Sequence, residues 1–394
     1  MTRLRVTCSR CGSSAAFTYE EMNCVCGGVR LVEYDLALAA KTLTKQALLH
    51  RPASMWRYKE LLPVAASEDI VSLGEGWTPL SLLSIAELKL PVDRLWIKRE
   101  ELNPTGSFKA RGMSVAVSLL KERGKRTAAL ASNGNAASAL AAYAASAGMD
   151  ACVFVPEDCP PYIVQECRHY GADTFRVKGL IHDAGQWVEA GRRLFGWSSV
   201  STLKEPGRVE GKKTMGFELA EQLNWQLPSV IVYPTGGGSG VIGMWKAFRE
   251  LKELRMITGP LPRMVCVQAS GCAPLAAAMG KADSGSETPA ATGMRVPRPP
   301  DLELLVRILR EMKGTAVAVT QDEIKDAQRA MGARGISASP EGAATWAGFV
   351  SLCEEGWIQP KDRVVLFNTS HAMKYELHCA NERTPLLGKL NPIL

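Results

Sequence analysis

Apolar residues along this chain come in short runs separated by longer stretches of helical character. Leu95-Trp-Ile-Lys alternates as a strand does, and further runs predict strands at Thr127–Ala131, Ala151–Pro156, Asp173–Val177 and Ser198–Thr202. Four more are expected at Ser229–Tyr233, Met264–Gln268, Thr315–Thr320 and Arg363–Asn368. The stretches between them predict helices at Ser107–Arg123, Ala136–Gly148, Tyr162–Tyr170 and Gln186–Phe195, then at Gly211–Leu223, Gly240–Met256, Gln321–Gly332 and Glu341–Glu355. Strand and helix alternate from Leu95 onward, which predicts an α/β protein with mostly parallel sheets. Leu36 to Ala66 is expected to be a helical connector, with Trp56 and Tyr58 packing onto the main body. Lys281 to Pro300, rich in Gly, Ser, Thr and Pro, is expected to be a mobile loop or lid.

Composition narrows the class. The 394 residues suffice for two or three domains, and 46% hydrophobic residues allow a substantial core. A net charge of +7 fits a slightly basic soluble protein. No basic stripe interleaved with aromatics points to nucleic acid. The first residues lack the apolar core of a signal peptide, and the alanine-rich Ala128–Met149 is broken by Ser-Asn-Gly-Asn, so neither export nor a membrane span is expected. Eleven cysteines in such a chain imply reduced thiols in a cytoplasmic protein. Seven of them, Cys152, Cys159, Cys167, Cys266, Cys272, Cys353 and Cys379, are scattered and are expected to be small buried hydrophobes.

The other four are paired. Cys8-x-x-Cys11 and Cys24-x-Cys26 could supply four thiolates to a structural zinc, and a site with four thiolates has no open position for catalysis. The alternative is a ribbon-shaped segment with free thiols.

The richest stretch for chemistry runs from Lys98 to Met113, K-R-E-E-L-N-P-T-G-S-F-K-A-R-G-M. Asn103-Pro-Thr-Gly is a turn signal, Ser107 stands where a helix N-cap belongs, and Lys109 falls in the first helical turn. The positive end of a helix dipole disfavours a charged lysine there, and an uncharged amine can attack an aldehyde. Thr235-Gly-Gly-Gly-Ser-Gly follows an apolar strand and opens a helix, as a phosphate cradle does. Gly238-Ser-Gly-Val-Ile-Gly also fits a dinucleotide fingerprint, but the next strand ends in Gln268 where that fingerprint needs an acid, so a monophosphate is preferred. Ser132-Asn-Gly-Asn at a strand end suits a carboxylate, and Asn368-Thr-Ser ends the last strong strand, where ligands meet a parallel sheet.

N-P-T-G-S-F-K-x-R-G resembles the lysine segment of the fold-type-II pyridoxal-phosphate enzymes, and most closely that of the threonine synthase family. The resemblance continues in order through Gly74-Glu-Gly-Trp-Thr-Pro-Leu, Ala131-Ser-Asn-Gly-Asn, Glu210-Gly-Lys-Lys-Thr, Pro234-Thr-Gly-Gly-Gly-Ser-Gly, Ser339-Pro-Glu-Gly-Ala-Ala and Asn368-Thr-Ser, over roughly residues 70 to 375. It implies two doubly wound α/β domains with the cofactor between them, plus the small N-terminal zinc-ribbon-like segment. The divisions expected are 1–35 for the ribbon, 36–110 for a connector and the first part of the large domain, 111–205 for the small domain and 206–394 for the rest. A homodimer is also expected.

By the same resemblance Lys109 is the catalytic residue that binds pyridoxal phosphate covalently. Phe108, Asn135, Gly236, Gly237, Gly238, Ser239, Gly240 and Thr369 would hold the rest of the cofactor. Thr369 would meet the pyridine nitrogen with a neutral hydroxyl, which suits elimination and replacement better than transamination. Ser132, Asn133, Gly134, Arg208 and Lys213 would bind a small amino-acid substrate, with Arg208 clamping a substrate phosphate. The activity implied is elimination or replacement at the β or γ carbon.

Several positions depart from the family. Its S-T-G-N-T is Ser132-Asn-Gly-Asn-Ala here, its N-P-x-R is Glu205-Pro-Gly-Arg, the aspartate after the lysine is Ala110, and the glycine after the threonine is Ser370. The expected substrate is therefore not O-phosphohomoserine. The alternatives are an ordinary threonine synthase with Glu205 facing solvent, an O-phosphoserine replacement enzyme similar to cysteate synthase, a serine or threonine ammonia-lyase, and a catalytically silent binding protein.

Overall fold

The structure, a computed structural model, describes residues 4–19, 23–84, 91–281, 285 and 291–375. Cys379 and residues 282–284 and 286–290 of the expected Lys281–Pro300 loop lie outside them. The chain opens with strands β1 (Arg5–Cys8), β2 (Ser14–Ala16) and β3 (Arg30–Glu33), an antiparallel ribbon in the order β2-β1-β3. Leu36–Ala66 forms only short turns, α1 (Leu36–Ala39), α2 (Lys45–Leu48) and a 3₁₀ stretch Met55–Leu61, rather than a continuous helix. Its Trp56 and Tyr58 are buried as expected.

Two larger sheets follow. The first uses β4 (Leu80–Leu82) and β5 (Arg94–Arg99), then leaves through α3 (Lys109–Glu122). The second is built from β6 (Thr127–Ala131), α4 (Asn135–Ser146), β7 (Asp150–Pro156), α5 (Pro161–His169), β8 (Asp173–Val177), α6 (Ile181–Phe195) and β9 (Ser198–Ser199). Its four strands are all parallel, in the order β8-β7-β6-β9. The expected strand Ser198–Thr202 keeps only its first two residues.

The chain then returns to the first sheet with α7 (Gly207–Gln222), β10 (Val230–Pro234), α8 (Ser239–Glu253), β11 (Arg263–Ala269) and α9 (Pro274–Ala278). It ends with α10 (Leu302–Glu311), β12 (Thr315–Val319), α11 (Gln321–Gly332), α12 (Pro340–Glu354) and β13 (Arg363–Asn368). The order is β12-β11-β10-β13-β5-β4, parallel except for the edge strand β4.

Alternation along the strands explains why both faces carry helices. Ile231 and Tyr233 of β10 and Val365 and Phe367 of β13 pack with α7, α8 and α10. Val230, Val232, Val364 and Leu366 point the other way, among residues of α11 and α12. In the smaller sheet Leu130 and Val153 face α3 and α4, whereas Ala129, Cys152 and Phe154 face Ala184 and Val188 of α6. Strands buried on both faces read as continuous apolar runs, which is why they were visible in the sequence. None of the described helices is long and apolar enough to cross a membrane.

Candidate active site

Lys109 is the first residue of α3, at the carboxyl end of the large sheet. The turn before it is left-handed at Thr105 and Gly106 and is held by Asn103, whose Nδ2 donates to Glu100 and whose Oδ1 accepts from the Gly76 N–H. Ser107 is not the cap that the sequence suggested. It is buried in a bridge to Ser370, and its hydroxyl makes no capping bond. The Phe108 N–H donates to the Thr369 carbonyl at 3.0 Å and the His371 N–H to that of Gly106 at 2.9 Å, so the end of β13 fixes the lysine.

Behind the lysine lies a buried charge network that sequence reading missed. Arg111 donates to both oxygens of Glu100 at 2.7 Å and pairs with Glu218, which also accepts from Lys98 at 3.0 Å. All four side chains are fully buried, and two cations balance two carboxylates. Such a set tolerates burial only because every partner is present, and it locks the turn of α3 that presents Lys109.

Lys109 faces a cleft that brings together much of the expected set. Phe108, Asn135, Gly236, Gly237, Gly238, Ser239, Gly240 and Thr369 all line it. Burial, then the charge of Arg208, pushes the Lys109 amine down to about 7, with Glu341 opposing. The chief cause is desolvation, a contribution that the sequence reading did not include.

The glycine loop fits a phosphate. A Cβ at Gly240 would overlap the Tyr233 hydroxyl, and one at Gly236 would come within 2.8 Å of the Gly293 carbonyl, so the backbone itself forms the wall. The first N–H groups of α8 have no intrahelical acceptors. Beside them Lys212, fully buried, donates to Ser239 Oγ at 2.9 Å. Its amine is held well below the usual lysine range by burial and by the charges of Arg208 and Lys109. An anion bound there would reverse that shift. Asn135 Oδ1, Tyr233 Oη and Glu341 Oε2 are buried without hydrogen-bond partners in the same cleft, which suits a polar ligand. These residues fit pyridoxal phosphate.

Other expected residues lie elsewhere. Lys213 points away, into a buried cluster with Glu210, Glu250, Lys246 and the Tyr34 ring, so its neighbour Lys212 is the lysine at the loop. Successive helical residues point about 100° apart, and E-G-K-K-T alone could not say which faced the site. Ser132, Asn133 and Gly134 form the turn before α4 without lining the cleft; the Ser132 hydroxyl accepts from the Gly134 N–H. Arg208 is buried beside the site, and its Nη1 donates to the Val200 carbonyl at 2.7 Å. Glu205 does not face solvent. It is 1% exposed, and its two oxygens accept from the Gly207 and Arg208 N–H groups at 2.7 and 2.8 Å, capping α7.

Sequence reading assigned no role to Glu341, Met294 or Tyr375, which complete the wall. Glu341 lay within the quoted Ser339-Pro-Glu and could have been found; nothing marked Tyr375, whose hydroxyl accepts from Asn135 Nδ2 at 2.8 Å. Two ion pairs span the cleft between the sheets, Lys374–Glu166 and Arg295–Asp158, each at 2.7 Å.

Residues 71–370 match the family described as pyridoxal-phosphate dependent enzyme. The threonine synthase of Methanocaldococcus jannaschii is 35% identical over 378 residues, covering 93% of this chain and 92% of that protein. This chain belongs to the threonine synthase family of pyridoxal-phosphate-dependent enzymes. The threonine synthase of Methanosarcina acetivorans is also 35% identical, over 379 residues, with 93% and 91% covered. Among solved structures, diaminopropionate ammonia lyase from Escherichia coli superposes with a TM-score of 0.65 at 17% identity, over 79% of this chain and 92% of that one. Threonine deaminase isoform 2 from Solanum lycopersicum gives 0.63 at 23%, over 75% and 79%. These structures share the fold of this family member, a pyridoxal-phosphate-dependent lyase or synthase.

At the other end of the chain the thiols of Cys8, Cys11, Cys24 and Cys26 lie within 4.8 Å of one another. All ten described cysteines are free.

Proposed function

We propose that this threonine synthase relative acts on a small amino acid other than O-phosphohomoserine, by elimination or replacement at the β or γ carbon. The observation that carries the reading is Glu205, whose buried carboxylate occupies the start of α7 beside Arg208. In the family resemblance this is the neighbourhood of the arginine that holds a substrate phosphate, and here the first two helix N–H groups already have an anion, while the arginine uses Nη1 on the Val200 carbonyl and keeps a buried Nε without a partner. While that carboxyl is ionised, a second anion within about 4 Å of it would cost on the order of 4 kcal/mol at surface-like dielectric.

Bound in the cleft, pyridoxal phosphate supplies an electron sink that acidifies the substrate Cα–H. The chain's own groups do the rest. The Gly236–Gly240 backbone with Lys212 would hold the phosphate, Thr369 would meet the pyridine nitrogen and Asn135 the phenolic oxygen. The Lys109 amine, held near neutrality, takes and returns the proton at the α and β carbons. Ser132, Asn133 and Gly134 would orient the substrate carboxylate at the start of α4.

Threonine formation from O-phosphohomoserine is the competing reading, favoured by the 35% identity to threonine synthases over 93% of the chain. Steady-state kinetics with O-phosphohomoserine, following phosphate and threonine, decides. Activity on O-phosphoserine, serine or threonine with little on O-phosphohomoserine is expected; a kcat/KM above about 10⁴ M⁻¹s⁻¹ for threonine formation overturns the proposal. A silent binding protein would show no near-visible cofactor absorbance.

The finer organisation belongs to the same proposal. Residues 36–110 and 206–394 make a large domain, 111–205 a small one, and the four-thiol ribbon at 1–35 holds one structural zinc. The enzyme is a cytoplasmic homodimer.

A further inference from the structure

The cysteine ribbon and the glycine loop stand at the two ends of one short series of contacts. Between Cys8 and Cys11, the Ser9 hydroxyl donates to Asp301 Oδ2 at 2.7 Å, and the Val29 N–H donates to the same oxygen at 3.2 Å. The other oxygen, Oδ1, accepts from the Leu304 N–H at 3.0 Å and caps α10. Asp301 is 3% exposed, although it lies 292 residues along the chain from Ser9. Leu305, in the first turn of α10, packs so closely on Gly238 that a Cβ there would overlap its side chain. Pro300 bears on Gly237 next to it. One buried carboxylate thus has one oxygen in the ribbon and the other on the helix that buttresses the loop.

We propose that Asp301 is a positioning residue for the cofactor phosphate, transmitting the state of the cysteine ribbon to the Gly236–Gly240 loop through α10. The proposal rests on reading that loop as the phosphate site. The physical reason is the cost of an unsatisfied buried anion. If the ribbon loosens, Oδ2 loses both donors, and the start of α10 must move to regain them or water. Leu305 moves with it and the support behind Gly238 is lost. Linkage makes the effect reciprocal, so cofactor binding also tightens the ribbon.

The test is a double-mutant cycle on the holoenzyme with Asp301→Asn and Cys24→Ser. Asparagine caps a helix as well as aspartate does, so α10 keeps its Leu304 bond. Its amide NH₂, however, faces the Val29 N–H, so that bond is lost and the Ser9 hydroxyl must turn from donor to acceptor, which weakens the ribbon link. Cofactor release is followed by loss of near-visible absorbance after dilution into an aldehyde scavenger, with circular dichroism as the check on folding. Each single variant should release pyridoxal phosphate about tenfold faster than wild type, within the usual span of coupling between sites. The double variant should be no faster than either. Ser9→Ala, which removes one donor only, should fall between. Release within twofold of wild type for Asp301→Asn, or additive effects in the double variant, overturns the proposal. A wild-type protein with no near-visible band would instead refute the cofactor reading on which it depends.

Discussion

Replacing Glu205 with glutamine tests the buried carboxylate directly. Burial pushes this carboxyl from its ordinary 4.5 up to about 7, against the opposing charge of Arg208 and the two backbone N–H bonds. An unfolded chain releases the proton at 4.5, so the unfolded state ionises first as the pH climbs. Folding is therefore favoured fully below pH 4.5, and that contribution is lost as the pH rises through about 7. The gap is worth about 3 kcal/mol in all, most of which is lost between pH 5 and pH 8. Glutamine mimics the protonated acid, keeping one carbonyl oxygen for one N–H, and it never ionises. At pH 5 the two proteins should match within about 1 kcal/mol. At pH 8 Glu205→Gln should have gained about 2 to 3 kcal/mol on wild type, roughly 3 °C in the thermal midpoint for a chain of this size. Thermal melts of both holoenzymes at pH 5, 6, 7 and 8 supply the measurement. A midpoint difference that stays constant within 1 °C across that range would refute the assignment of a buried, titrating carboxylate at the start of α7.

Borohydride reduction of the holoenzyme should fix the cofactor to Lys109, and Lys109→Ala should stay folded and lose the label; label on another lysine sinks the assignment. Because the Lys109 amine sits near 7, pyridoxal phosphate capture by cofactor-free enzyme should quicken about tenfold from pH 6 to pH 8, where an ordinary lysine would give about a hundredfold rise. Metal analysis of protein purified without chelator should find one zinc per chain, and Cys11→Ser should remove it. Turnover at saturating pyridoxal phosphate should survive chelation of a still-folded enzyme, whereas its loss would make the metal catalytic.

Where an element is buried on two faces, its apolar run stood out. Arg363–Asn368 was placed to the residue on that ground, whereas the exposed edge strand Asp173–Val177 and the one-sided helix Gln321–Gly332 were placed to the residue by alternation, helical spacing and the turn and cap residues around them. The amphipathic helix Leu302–Glu311 is absent from the sequence expectation although Asp301 caps it, because it follows directly on the Gly-, Ser- and Pro-rich stretch that reads as loop. That Lys109, Asn135 and the glycine loop meet in one cleft was legible, since they sit in short turn and helix-start motifs whose backbone shape local sequence specifies. The rest of the wall was less so: Tyr375 arrives there only because β13 lies beside β5, a pairing between distant strands. Lys212 and Lys213 show the same limit at finer grain, for only the packing of α7 decides which of two adjacent lysines meets the loop.

The position of β13 also sets a timetable for making the protein. This strand fills the gap between β10 and β5, and the turn before Lys109 bonds directly to residues at its end. Thr369 follows Lys109 by 260 residues. At roughly 5–20 residues per second, on the order of 13–50 s of translation separate them. The smaller sheet, drawn wholly from residues 127–199, can be complete by then. The larger one must wait, with the apolar edge of β5 open on the ribosome until its neighbour is made.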